Sequence, residues 1–318
     1  MRSSLVLLLL ATAATSACAT DYDSNGDGVN DSCLGQYCED PPGPVVPDPF
    51  AVETELPSGA QASGNQLAAV AVGGALELRV WARTGVTPSI RSAGAAATVV
   101  EGPAEGAWRG ATVRGVADGE ATLELSAGAS AGQWLVQVDT LDRVELAVPG
   151  VQGRPGADDA AVLAGTTSLE LRLLSASGRR LIDHSLAVDG WSDPAFTQAR
   201  WDVISAPAAA GQFDLRLRAD AFGVRTLPVT VVDQVDTLVL ELDQPGRTAG
   251  RLCVHAEAGG QPVIGQGWSL GGAVDVTLTP TALANCVDYL YALPGARVTA
   301  TFGGVTRTLE LLPPAAPE

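Results

Sequence analysis

The sequence predicts an all-β protein made of tandem two-sheet sandwiches, and three observations carry that prediction. From residue 51 onward, apolar residues come in short alternating runs such as "ALELRVWAR", "ATLELSA", "SLELRLL" and "RVTATF", separated by Gly, Pro, Asp and Ser. A period of two turns one face of each run inward, as in a half-buried strand. No stretch shows the 3.6-residue period of an amphipathic helix. The third observation is an internal repeat. "LELR" at 76–79 recurs at 169–172, "GEATLELSA" at 119–127 is matched by "GQFDLRLRA" at 211–219, and "VDTLDRVEL" at 138–146 by "VDQVDTLVL" at 232–240, offsets of 93, 92 and 94. Three ordered matches at nearly one spacing define a unit of roughly a hundred residues, the size of a seven-stranded sandwich.

The elements follow in order along the 318 residues. Residues 1–17 of "MRSSLVLLLLATAATSACAT" have one positive charge, a short apolar run and small residues ahead of Cys18, the pattern of an export signal. Residues 18–50 hold an acidic segment and then "EDPPGPVVPDPF", where proline disfavours helix and favours an extended spacer. Three sandwiches are expected at 51–140, 141–234 and 235–313, with a tail at 314–318. Each full unit reads as an opening strand, a Gly-led strand, a middle section, a Gly-led strand, and a closing strand that runs straight into the next unit.

Composition narrows the chemistry. The formal charge of −17 opposes any general attraction to nucleic acid or to an anionic lipid surface. All 19 basic residues are Arg, which excludes Schiff-base lysines, Ser–Lys dyads and phosphate-loop lysines. Aromatic content of 5% implies small aliphatic cores.

Five cysteines are present, Cys18, Cys33, Cys38, Cys253 and Cys286. With Cys18 acylated or removed, four remain to pair in an oxidising compartment; three connectivities are open in principle, and sequence separation favours Cys33–Cys38 with Cys253–Cys286.

The segment "DSNGDGVNDSC" at 23–33 places hard oxygen donors on Asp23, Asn25, Asp27 and Asp31, with the carbonyl of Val29 between them. Gly26 and Gly28 let the backbone curl around an ion, and calcium suits such a set because it accepts many oxygens in flexible geometry. "GWSLG" at 267–271 fits the Gly-x-Ser-x-Gly pattern of a hydrolase nucleophile, but that chemistry needs a helix after Ser269, and "GAVDVTLTP" reads as a strand. His184 and His255 are isolated, without partners at zinc-ligand spacing. Paired carboxylates fall on scattered surface faces. Trp81, within "LELRVWAR", reads as core or edge packing. Trp108 in "EGAWRG" and Trp191 in "DGWSDP" lie beside turn residues, where an exposed ring stacks on a sugar or anchors a protein partner.

Several of these stretches resemble known families. "TSAC" is similar to the lipobox of bacterial lipoproteins, although Thr15 stands where an aliphatic residue is usual. The resemblance implies acylation of Cys18, and the absence of Asp at position 19 implies retention in the outer membrane. The acidic loop, with Cys33, resembles one thrombospondin type 3 repeat, a calcium-binding module of surface proteins, here present singly. A lone repeat implies weak affinity, about 10⁻⁴–10⁻³ M. Residues 50–313 resemble bacterial immunoglobulin-like domains of surface proteins, in which "VADGEATLEL" is typical of the late strands. The order Cys253, Trp268, Cys286 is similar to the immunoglobulin staple, although no Tyr stands two residues before Cys286. Alternation puts Leu252, Val254 and Ala256 on one face of their strand and Cys253, His255 and Glu257 on the other.

Together these readings lead to an exported, lipid-anchored surface protein whose sandwiches serve binding, adhesion or scaffolding without catalysis. Its expected partners are outer-membrane lipid through Cys18 and a protein or glycan ligand, with no nucleic acid. A carbohydrate-binding module and an envelope assembly factor remain as alternatives.

Overall fold

A computed structural model describes residues 48–56, 66–153, 160–191, 197–244, 248–290 and 295–311, with the side chains of 190, 191, 197 and 273 left out. The signal, Cys18, the loop from Asp23 to Asp31, Cys33, Cys38 and the proline-rich spacer lie outside the described residues. From Asp48 onward the chain forms one compact unit, and every regular element described in it is a strand.

The first run of strands is β1 (Phe50–Glu53), β2 (Val70–Ala71), β3 (Ala75–Ala82), β4 (Ser89–Ala93), β5 (Ala97–Glu105), β6 (Trp108–Gly115), β7 (Gly119–Ala127) and β8 (Ser130–Asp139). They form two sheets, β1-β3-β6-β5 and β2-β8-β7-β4. In immunoglobulin lettering these are an A-B-E-D sheet facing a C-F-G sheet with a short extra A′ strand beside G. The predicted alternation is visible in β7, where Ala121, Leu123, Leu125 and Ala127 are buried and Glu124 and Ser126 face solvent. The two sheets close over cores centred on Leu76, Val113, Leu123 and Val136, and on Val80, Ile90 and Leu125.

The second run is β9 (Arg143–Ala147), β10 (Ala161–Leu163), β11 (Leu169–Leu174), β12 (Arg180–Leu181), β13 (Ala187–Trp191), β14 (Thr197–Arg200), β15 (Val203–Ser205), β16 (Gly211–Ala219) and β17 (Gly223–Val232). It repeats the plan: β9, β11, β15 and β14 make the A-B-E-D sheet, and β10-β17-β16-β13 the sheet facing it. β12 is an addition, a short strand after B that pairs with the end of β11. Leu169, Leu171, Leu173, Leu215 and Leu217 fill this core.

The third run is β18 (Thr237–Leu242), β19 (Ala249–Ala258), β20 (Gln261–Ile264), β21 (Ser269–Val274), β22 (Thr277–Pro280), β23 (Cys286–Leu290), β24 (Arg297–Phe302) and β25 (Val305–Glu310). β18-β19-β23-β22 form the A-B-E-D sheet and β21-β24-β25 the C-F-G sheet, with β20 in the place of β12. The β24–β25 hairpin turns at Gly303 and Gly304, at φ of 56° and 80°. Two successive positive φ values are what a two-residue turn matching strand twist requires, and glycine adopts them without steric cost. Val254, Val298, Ala300 and Phe302 are fully buried in this third core.

The chain is thus all-β, a series of immunoglobulin-like sandwiches. Opening strands β1, β9 and β18 start at residues 50, 143 and 237, intervals of 93 and 94 that match the sequence repeat.

The Cys253–Cys286 disulfide joins β19 to β23, in register within one sheet. It differs from the immunoglobulin staple, which links strands B and F across the two sheets. The reason lies in the strand order, since β23 is the E strand and the hydrogen-bonded neighbour of β19. Trp268, partly buried, stacks on Phe302 of the third core with centroids 3.9 Å apart. Both faces of β19 are covered, because Cys253 and His255 are 6% and 5% exposed on the face opposite Leu252 and Val254.

Candidate functional site: two strand-locked joints and a tryptophan–arginine face

The segments ending in β2 and β10 are apolar on both faces, and each serves two sandwiches at once. Along the first, Ala68 and Val70 enter the first core while Ala69 and Ala71 enter the second. Along β10, Val162 enters the second core while Ala161 enters the third and Leu163 packs against it. Period-two side-chain direction produces this sharing, since successive residues point to opposite faces.

The backbone is shared in the same way. β2 runs parallel to its own β8, with Val70 opposite Val138, and on its other edge Val70 pairs with Ile182 of the second sandwich. Ile182 N donates to Ala69 O at 2.8 Å, and Ala71 N donates to Ile182 O at 3.1 Å. β10 lies between its own β17 and the β20 strand of the third sandwich, both parallel, with Val162 opposite Val231 and Ile264. One continuous sheet therefore runs from β13 through β10 to β22. A close approach at the first joint fixes Gly115, where a Cβ would overlap the Ala71 carbonyl and stand 2.9 Å from Val138 Cγ1.

Polar side chains fasten both joints, Asp183 and Asn285 buried and His184 partly exposed. Asp183 is fully buried and accepts from Ala75 N at 3.1 Å, Ala221 N at 3.0 Å, and Ser185 N and Oγ at 3.0 and 2.6 Å. A Cβ on Gly74 would stand 2.9 Å from its Cγ, so the carboxylate seats against bare backbone. His184 accepts from Glu77 N at 2.9 Å through Nδ1, and its Nε2 lies 2.9 Å from Glu55 O. Its ring meets Trp201 edge-on at 4.9 Å. Arg114–Asp220 and Arg179–Asp139, both at 3.0 Å, add partly exposed ion pairs between the first two sandwiches. At the second joint, Asn285 is fully buried; its Nδ2 donates to Gln152 O and Val254 O at 3.0 Å, and its Oδ1 accepts from Gln152 N at 2.9 Å.

Beside that joint lies a cleft of about 690 Å³ lined by residues that include Arg143, Glu145, Arg172, His255, Gln261 and Asn285. Gly153 and Ala160, which flank an undescribed stretch, also border it.

Trp108 begins β6, opposite Trp81 of β3, with ring centroids 6.3 Å apart and planes tilted by 36°. Both rings are half-buried on the outer face of the sheet, since Val80 and Ala82 point inward. Packing of Trp81 in the core is thus corrected: alternation from buried Leu76, Leu78 and Val80 places it outside. Arg79 lies over Trp108 at 5.0 Å and Arg83 over Trp81 at 5.8 Å, within cation–π range. Glu105 pairs with Arg79 at 3.2 Å. The sequence marks Trp108 as a ligand contact and Trp81 only as packing; the missing signal was the register of β3 against β6, two strands separated along the chain by β4 and β5. Trp191 closes β13 opposite Leu215, and its ring lies outside the described side chains.

Ser269 opens β21 in one sheet, whereas His255 lies on β19 in the facing sheet, so the chain continues as a strand after the Gly-x-Ser-x-Gly stretch. Among the described residues, no cluster of three or more His, Cys, Asp or Glu is arranged to hold a metal ion, and no helix is long and apolar enough to cross a membrane.

No protein family and no curated protein matches this sequence. Among solved structures, domains 5–6 of the S-layer protein SbsC are similar over 57% of this chain and 98% of that one, at 15% identity and a TM-score of 0.26. Invasin, a bacterial integrin-binding protein, is similar over 83% and 60%, at 12% identity and a TM-score of 0.22. Tandem immunoglobulin repeats of Dlar are similar over 58% and 98%, at 14% identity and a TM-score of 0.24. The immunoglobulin-like assignment is carried by the strand order described above.

Proposed function

We propose that this chain is a non-catalytic, membrane-anchored surface protein whose joined sandwiches act as a scaffold and binding module, held to outer-membrane lipid through an acylated Cys18. The observation that supports scaffolding is the pair of strand-locked joints. An A′ strand bonded to two sandwiches and feeding two cores resists relative movement far better than a flexible linker. The segment carrying Asp23, Asn25, Asp27, Val29 and Asp31 would hold calcium between the anchor and the first sandwich, stiffening the stalk.

Metabolic labelling with a radiolabelled fatty acid, together with protease treatment of intact cells, tests this reading. Label that depends on Cys18 and fractionates with the outer membrane is expected; an unlabelled, freely soluble product overturns it. Titration with calcium by calorimetry is expected to give weak binding lost in Asp27→Ala.

The Trp81–Trp108 pair favours a glycan ligand as a second reading, because half-exposed indoles beside charged side chains suit sugar rings, which present both apolar and hydroxyl surfaces. Affinity electrophoresis in polysaccharide gels should retard the protein and not Trp108→Ala.

A further inference from the structure

We infer that His184 is an acid-released latch between the first two sandwiches. Its two ring nitrogens face backbone groups of opposite character. Glu77 N–H points at Nδ1 from 2.9 Å, so Nδ1 must carry a lone pair. Glu55 C=O faces Nε2 at 2.9 Å, so Nε2 must carry the proton. Only the neutral Nε2–H tautomer satisfies both; the imidazolium has donors on both nitrogens. Protonation would set an N–H at Nδ1 against the Glu77 N–H and break that bond.

The bond sits at the critical place. The preceding residues make the joint itself, Ile182 pairing with the β2 strand and Asp183 capping Ala75 N. The His184 backbone N also donates to Ala75 O at 2.7 Å. Charged groups around the ring are accounted for from each element. Asp183 is turned toward Ala75, Ser185 and Ala221. Arg114 of β6 is paired with Asp220. Asp202, next to Trp201, is held by Arg180 and Arg200. Glu55 and Glu77 approach the ring through their backbone N and O, and their carboxylates are exposed. The sign follows: a contact that requires neutral imidazole holds while the ring is neutral and is lost when falling pH puts a proton on Nδ1.

The test uses the whole chain, in which His184 and His255 are the two imidazoles and are separable by nitrogen-15 NMR. At neutral pH the His184 ring should be the Nε2–H tautomer. Hydrogen exchange corrected for intrinsic rate should then show 66–77 and 182–185 losing protection several-fold as His184 titrates, while β7 and β16 stay protected. His184→Phe should show the unprotected joint at all pH values, with no step. An Nδ1–H tautomer at neutral pH, or joint protection unchanged across the His184 titration, overturns the inference. If His184→Phe fails to fold, those two wild-type measurements decide it alone.

Discussion

Asn285 lays its buried amide across the backbone of Gln152, accepting from its N at 2.9 Å and donating to its O at 3.0 Å. The two residues belong to different sandwiches and are 133 positions apart. Replacing Asn285 by Leu removes the side-chain partner of the half-buried Gln152 N–H and C=O and of the buried Val254 O. An unsatisfied buried group costs about 1–3 kcal/mol. Asn285→Leu should therefore lower stability by about 1–3 kcal/mol in urea unfolding, with the loss concentrated in the second and third sandwiches by hydrogen exchange.

Removing the Cys253–Cys286 bridge, which spans 33 residues, should destabilise the third sandwich by about 3–4 kcal/mol on chain-entropy grounds. The Cys253→Ala/Cys286→Ala double variant, compared with the wild type in denaturant, checks this. Both sulfurs also lie within 3.3 Å of Gln152 Oε1, so loss of protection should reach the residue 150–152 segment.

Glu101 introduces an acid dependence. Ile90 N–H, donating at 2.6 Å, holds its carboxyl below the usual glutamate range, helped by Ser89 and by Arg109 and opposed by partial burial. A depressed folded value means the stabilisation is present above the ordinary glutamate value and is lost as pH falls through the folded one. Glu101→Gln should flatten stability against pH in that acidic window and leave the His184 step untouched.

The tryptophan face should be energetically coupled. A double-mutant cycle of Trp81→Ala and Trp108→Ala should return about 0.5–1.5 kcal/mol of interaction, typical of aromatic pairs. Arg79→Ala should cost less than about 1 kcal/mol, since its guanidinium is half exposed over Trp108.

Strands with one wet face were legible in the sequence. β7 and β16 alternate cleanly, and their common offset of 92 exposed the repeat. The joints were not legible, for a physical reason. β2 and β10 are two and three residues long and bury both faces, so they have no period to detect. Their partners, Ile182 and β20, come from the next repeat, which no local pattern announces. The sequence does not single out Asp183 or Asn285 and leaves His184 isolated, because key partners are backbone groups remote along the chain: Ala75 and Ala221 lie 108 and 38 positions from Asp183, Glu77 lies 107 from His184, and Gln152 lies 133 from Asn285. The apolar run "LAAVAVGG" at 67–74 was the available clue, as uninterrupted small apolar residues mark a strand covered on both sides.

Donor and acceptor elements are unevenly distributed. The first sandwich supplies β2, but only residues 83–88 join its β3 to β4, with no counterpart of β12 or β20. The third has β20, and among the described residues between β18 and β19 there is no counterpart of β2 or β10. Among the described residues, the middle sandwich alone carries both halves of the connector. Copying residues 141–234 in frame should therefore insert an additional link that clips onto its neighbours, whereas a duplicated first or third unit would meet a neighbour lacking the matching half. The protein's reach can be changed in whole increments by gene duplication at one place.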